Sequence, residues 1–86
     1  MGKVLVTSKL FPESPNVDLE KIKKEVKEKI NPEKMEEEPI AFGLVSLKVE
    51  KVIEDDGRSL EELEGKLKSI SNISQVEIVQ VSRVFF

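Results

Sequence analysis

The sequence predicts an α+β fold in the order β-α-β-β-α-β, with a four-stranded antiparallel sheet and two helices on one face. Three observations predict it. Leu19, Ile22, Val26 and Ile30, and later Leu60, Leu63, Leu67 and Ile70, recur at intervals of three and four, the spacing of a buried helical stripe. Val45, Leu47 and Val49 alternate with Ser46, Lys48 and Glu50, the period of a strand with one buried face. β-rich runs open and close the chain, at Lys3 to Phe11 and Val76 to Val84. That order is the split βαβ, or ferredoxin-like, arrangement.

Each element has its own local warrant. The first strand carries Val4, Val6, Leu10 and Phe11 and is stopped by Pro12-Glu13-Ser14-Pro15-Asn16, because two prolines so close do not fit a strand interior. Asp18 reads as a helix N-cap, with Glu20 in the first turn where the helix dipole favours an anion. Asn31-Pro32 ends that helix, since proline disfavours helical geometry in the residue before it. A short strand is expected before Phe42, its polar Met35–Glu38 segment suiting a sheet edge, and a long one after it, joined by a tight return at Gly43. The slip of alternation at Lys51-Val52-Ile53 suggests a bulge or the end of that strand. Asp55-Asp56-Gly57-Arg58 reads as a turn. Ser59 and Glu62 form a capping box, which starts the second helix at Leu60. Gly65 inside it costs about 1 kcal/mol relative to Ala, a cost that close packing on the sheet would explain.

Composition removes most function classes. The 86 residues allow one domain, spanning 1–86, and hold no Cys, His, Trp or Tyr. Thiol nucleophiles, thiolate metal sites and the usual general base and zinc ligand are therefore absent. No apolar run approaches the roughly 20 residues of a membrane helix. Val4-Leu5-Val6 is too short for a signal-peptide core, so a cytoplasmic protein is expected. Net charge is −3, and residues 31–64 carry 4 basic against 11 acidic side chains. Such an acidic middle argues against tracking nucleic-acid phosphates. An RNA platform on this topology also needs aromatic pairs on the central strands, and those are missing. The run Glu36-Glu37-Glu38 does not converge on one cation, because successive strand residues point to opposite faces. Thr7, Ser8, Ser46 and Ser82 have no histidine to activate them, and the glycines match no phosphate-cradle spacing. No catalytic, cofactor-binding or metal residue is expected, and an enzyme is not.

Two features remain. Pro39-Ile40-Ala41-Phe42-Gly43-Leu44 puts an apolar patch and a bulky ring at a strand junction; a plain core role for Phe42 is the alternative. The chain ends Arg83-Val84-Phe85-Phe86, and on a regular strand Phe85 and Phe86 cannot both face inward. One of them is expected to be exposed or to meet a partner.

These segments resemble the archaeal elongation factor 1-beta family, the small guanine-nucleotide exchange factors for elongation factor 1-alpha. The resemblance covers essentially the whole chain. It rests on Phe11-Pro12-Glu13-Ser14-Pro15-Asn16-Val17-Asp18-Leu19, on Glu37-Glu38-Pro39-Ile40-Ala41-Phe42-Gly43-Leu44, and on Val52-Ile53-Glu54-Asp55-Asp56. The second is similar to the Pro-Ile-Gly-Phe-Gly run of longer eukaryotic factors, and the third to their Val-Val-Glu-Asp-Asp. The resemblance implies a ferredoxin-like fold and a translation factor that binds elongation factor 1-alpha and promotes exchange of GDP for GTP. It implies destabilisation of the nucleotide and magnesium site, without covalent chemistry, cofactor, nucleic acid or membrane. In the eukaryotic relatives an aromatic of the Gly-Phe-Gly segment and a lysine near the C-terminus act at the GTPase. By position the aromatic is Phe42, beside Gly43; the lysine has no counterpart, and the nearest cation is Arg83. The implied partner contacts are Phe42, Gly43, Arg83, Phe85 and Phe86, expected to form one surface. A reading from another class is a regulatory module that dimerises through Met35–Glu38 and the chain end and binds a small ligand.

Overall fold

The computed structural model describes residues 2–84, with Phe42 described by its backbone alone; the expectations for Phe85 and Phe86 lie outside the described residues. The elements are β1 (Lys3–Pro12), α1 (Leu19–Ile30), β2 (Lys34–Pro39), β3 (Val45–Glu54), α2 (Gly57–Lys68) and β4 (Ile73–Val84). The sheet order is β2-β3-β1-β4, with every neighbouring pair antiparallel. This is the ferredoxin-like arrangement expected from the sequence, with β3 and β1 central.

Both apolar stripes do what their spacing dictates. Ile22, Val26 and Ile30 of α1, and Leu63 and Leu67 of α2 with Ile70 beyond it, are buried against Val4, Val6 and Leu10 of β1 and Leu47 and Val49 of β3. Each such side chain removed from water contributes about 1.5–3 kcal/mol. The Asp18 carboxylate caps α1, accepting from the Glu20 amide at 3.0 Å, and Asn31 closes that helix in the left-handed region at φ 44°, a conformation asparagine tolerates.

The sheet's other face carries ion pairs instead of helices. Lys3–Glu54 (3.4 Å), Lys9–Glu38 (3.2 Å), Lys34–Glu36 (2.8 Å) and Lys48–Glu50 (3.9 Å) lie along it. Lys9 and Lys48 stand opposite one another in the β1–β3 register, and each is balanced by a different glutamate. Exposed pairs of this kind add little stability singly, but they keep a flat strand surface solvated. Glu37, on the opposite side of β2, pairs with Lys23 of α1. The three consecutive glutamates thus have three separate lysines.

Several local expectations are corrected. Helix α2 begins at Gly57, not Leu60, because Asp56 is extended (φ −149°, ψ 156°) and its carboxylate accepts from the Ser59 amide at 2.6 Å. Ser59 is therefore inside the helix and does not cap it. Strand β3 runs unbroken through Lys51–Ile53; the irregularities fall between β1 and β4, at Thr7/Ser8 and Phe11/Pro12. Ser46 is fully buried, not outward and wet, and its hydroxyl donates to the Glu38 carbonyl at 3.2 Å. Strand β4 starts three residues earlier than expected, at Ile73. Gly65 is not needed for close packing on the sheet: a side-chain carbon there would meet nothing beyond its own stretch of helix within 4 Å.

Candidate functional site

The connection between β2 and β3 is short and held by its own backbone. Pro39 ends β2 opposite Val45; the Ile40 amide donates to the Leu44 carbonyl at 2.8 Å, and the Leu44 amide to the Ala41 carbonyl at 3.3 Å. Between them, Ala41–Gly43 forms a single 3-10 turn. Gly43 has φ 75°, a conformation that costs a residue with a side chain about 1–2 kcal/mol, so glycine is needed here for geometry. The backbone of Phe42 is thereby carried at the tip of a tight return. Ile40, beside it, is 37% exposed, a large hydrophobic group left in water; Ala41 and Gly43 are exposed as well.

Register fixes where this tip lies. Leu47, two residues into β3, stands opposite Leu10 near the end of β1. Around that end, the Glu13 amide donates to the Asn72 carbonyl at 3.0 Å, tying the β1–α1 connection to the turn before β4.

Arg83 is at the other end. It stands opposite Val4, while Val84 stands opposite Lys3 and Lys3 opposite Glu54. Arg83 is exposed and makes no ion pair among the described residues. From Lys3 to Leu10 the β1 backbone rises about 23 Å at ~3.3 Å per residue, in a molecule 42 Å long. The Phe42 loop and the strand leading to the chain end therefore do not form the single surface expected from the sequence: in the antiparallel order β2-β3-β1-β4 the β2–β3 return and the end of β4 lie at opposite ends.

At the Arg83 end of the sheet the Asp56 carboxyl lies below its ordinary range because the Ser59 amide donates to it. On the open face, the hydrogen bond and charge of the Lys34–Glu36 pair raise the Lys34 ammonium and lower the Glu36 carboxyl. Sequence reasoning missed Ile40 as a separate exposed group, since it merged with the apolar run that follows. It also missed a groove between α1, α2 and the end of β3, which leaves no sequence motif.

Comparison with known proteins decides the family. The model of the EF-1 guanine nucleotide exchange domain matches residues 5–84. The chain belongs to this exchange-domain family. Its relatives include the elongation factor 1-beta of Methanothermobacter thermautotrophicus, 47% identical over 89 aligned residues, which cover 98% of this chain and 99% of that one. The elongation factor 1-beta proteins of Methanoregula boonei and Methanocorpusculum labreanum are 41% and 40% identical, over 95% and 98% of this chain and 98% and 99% of theirs. Coverage so nearly complete on both sides means that the likeness extends beyond a shared motif to both ends of the sheet. This exchange-domain chain has a nucleotide-exchange role in translation elongation, and so a GTPase partner. Among the described residues, no helix is long and apolar enough to cross a membrane.

Proposed function

We propose that the GTPase is elongation factor 1-alpha and that this chain speeds its release of GDP through two separated contacts, making and breaking no covalent bond. The observation that carries the reading is the β2–β3 turn, which leaves Ile40, Ala41 and Gly43 exposed and is closed by two hydrogen bonds and a left-handed glycine. A pre-organised tip of this kind loses little entropy on docking. Phe42 supplies the anchor there. Arg83, Phe85 and Phe86 supply the second contact, with Arg83 as the cation that disturbs the magnesium and phosphates held by the GTPase.

Exchange then follows from linkage. A factor that binds the nucleotide-free GTPase more tightly than the loaded one weakens nucleotide affinity by the same ratio. Weakening by three decades takes about 4 kcal/mol of differential contact. The test is release of a fluorescent GDP analogue from elongation factor 1-alpha with catalytic amounts of this chain. Acceleration is expected, falling roughly tenfold or more in Phe42→Ala with little change in Tm. No acceleration by the folded wild type would sink the reading, and a collapse of Tm in Phe42→Ala would move that ring into the core.

A further inference from the structure

The closing hydrogen bonds of the β2–β3 turn fix its shape; its direction relative to the sheet depends on its base, Glu38-Pro39, the last two residues of β2. The Pro39 ring fixes its own φ. Rotation about the Glu38 backbone, which carries the Glu38 carbonyl with it, is then the motion that would swing the residues beyond. That carbonyl is held from an unexpected place. Ser46 stands opposite Glu38 in the β2–β3 register, and because its neighbour Leu47 points into the core, Ser46 points to the open face. It is nevertheless fully buried, and its hydroxyl donates to the Glu38 carbonyl at 3.2 Å.

The Glu38 side chain is held as well. Register sets Lys9, Lys48 and Glu36 in one row across the open face, and Ser46 and Glu38 in the next row toward the turn. Lys9 leaves its own row. Its ammonium lies 3.2 Å from the Glu38 carboxylate, while Glu36 is paired with Lys34. On its other side Lys9 stands opposite Glu77 of β4, which makes no ion pair among the described residues. A cation from β1 is thus carried across β3 to the base of the turn.

We propose that Ser46 and Lys9 are positioning residues for nucleotide exchange: acting through Glu38, they hold the direction of the Ile40–Gly43 tip so that it meets the GTPase already aimed. The inference rests on the reading of this tip as a GTPase contact. A tip free to swing would have to be ordered on docking, which weakens binding to the loaded and the nucleotide-free GTPase alike. Uniform weakening of that kind raises the concentration needed for half-maximal effect and leaves the rate at saturation unchanged.

The test pairs NMR of the isotope-labelled full chain with GDP-release titrations against elongation factor 1-alpha. Residual dipolar couplings of the Ala41 and Gly43 amides report the direction of the tip relative to the sheet with no partner present. Ser46→Ala and Lys9→Met should shrink these couplings and leave those of β1 and β3 unchanged. In the titrations Ser46→Ala should raise the half-saturating concentration about fivefold, the equivalent of one hydrogen bond. Lys9→Met should raise it roughly twofold, and neither should change the maximal rate. Ser8→Ala is the matched control: Ser8 is also buried, and its hydroxyl donates to the Val49 carbonyl at 3.4 Å, on the helix side of the sheet and away from Glu38. It should move neither reading. Unchanged couplings at Ala41 and Gly43 in Ser46→Ala, or an equal loss in Ser8→Ala, would overturn the proposal, as would a lower maximal rate at unchanged half-saturation. If the wild type gave no acceleration, the exchange reading would fall, and the couplings would still decide whether Ser46 and Lys9 hold the tip.

Discussion

The two ends of the sheet are built by different means. At the Phe42 end, local chemistry does the work: two backbone hydrogen bonds and one glycine at φ 75° fix a short turn that needs little from the rest of the molecule. At the Arg83 end, nothing local fixes position. Arg83 is where it is because β4 pairs with β1 over the whole length of both strands. The Asp56 cap starts α2 beside this end, and the Asp55 amide ties it to the Gly2 carbonyl at 3.0 Å. A locally determined contact survives damage elsewhere until the fold is lost, whereas a register-determined contact weakens with the sheet.

The largest perturbation should remove that distinction altogether. Leu47 is fully buried opposite Leu10, where β3 and β1 cross the core, and Leu47→Ala should cost about 2–5 kcal/mol. Thermal unfolding should show one large drop in Tm, with both ends lost together; a small drop would mean that the core closes over the gap. Gly43→Ala should act at one end only. Its strain of about 1–2 kcal/mol should lower Tm moderately and slow exchange, while the amide spectrum near Arg83 stays unchanged. Spectral changes at Arg83 would show that the ends communicate.

Asp56→Ala should act at the other end and carry a pH signature. The Asp56 carboxyl is held below its ordinary range by the Ser59 amide, so its contribution is present above the unfolded value of about 4 and lost as pH falls through the lower folded value. Glu36 behaves the same way through Lys34. Burial raises the Glu25 carboxyl, but hydrogen bonds from the Ser71 amide and Lys29 outweigh that and leave it lowered. Wild-type Tm should therefore decline on acidification below about pH 4. Asp56→Ala should lower Tm by a few degrees at neutral pH and flatten that decline; an unchanged acid profile would mean that the cap is dispensable. Smallest, and opposite in sign, Gly65→Ala should stabilise by up to about 1 kcal/mol, since a helical glycine there faces open space. A lower Tm would show that the added methyl group is not accommodated in the folded chain.

What the sequence disclosed follows the same division between local and distant causes. Asp18, the α1 stripe and the glycine of the β2–β3 return are settled within a few residues, and all three were readable. The start of α2 was misread because Asp56 to Ser59 and Ser59 to Glu62 are two cap-like spacings laid end to end, and only geometry chooses between them. The first residues of β4 were missed because Ser74 and Gln75 are polar, while the shift between Thr7 and Ser8 breaks its alternation near Val79. Burial of Ser46 was invisible because its environment comes from the strands beside it. The separation of Phe42 from Arg83 emerges only when strand directions are followed across the whole sheet, since the β2–β3 return and the end of β4 lie at opposite ends of the order β2-β3-β1-β4.

The most direct measurement is a double-mutant cycle in the GDP-release assay with elongation factor 1-alpha, using Phe42→Ala, Arg83→Ala and the pair together. Sites this far apart with no shared partners contribute additively, within about 0.5 kcal/mol. Two separated contacts predict that each single variant slows exchange and that the double variant shows the product of the two factors. A double variant no slower than the worse single one, or an Arg83→Ala variant indistinguishable from wild type, would contradict the two-contact account.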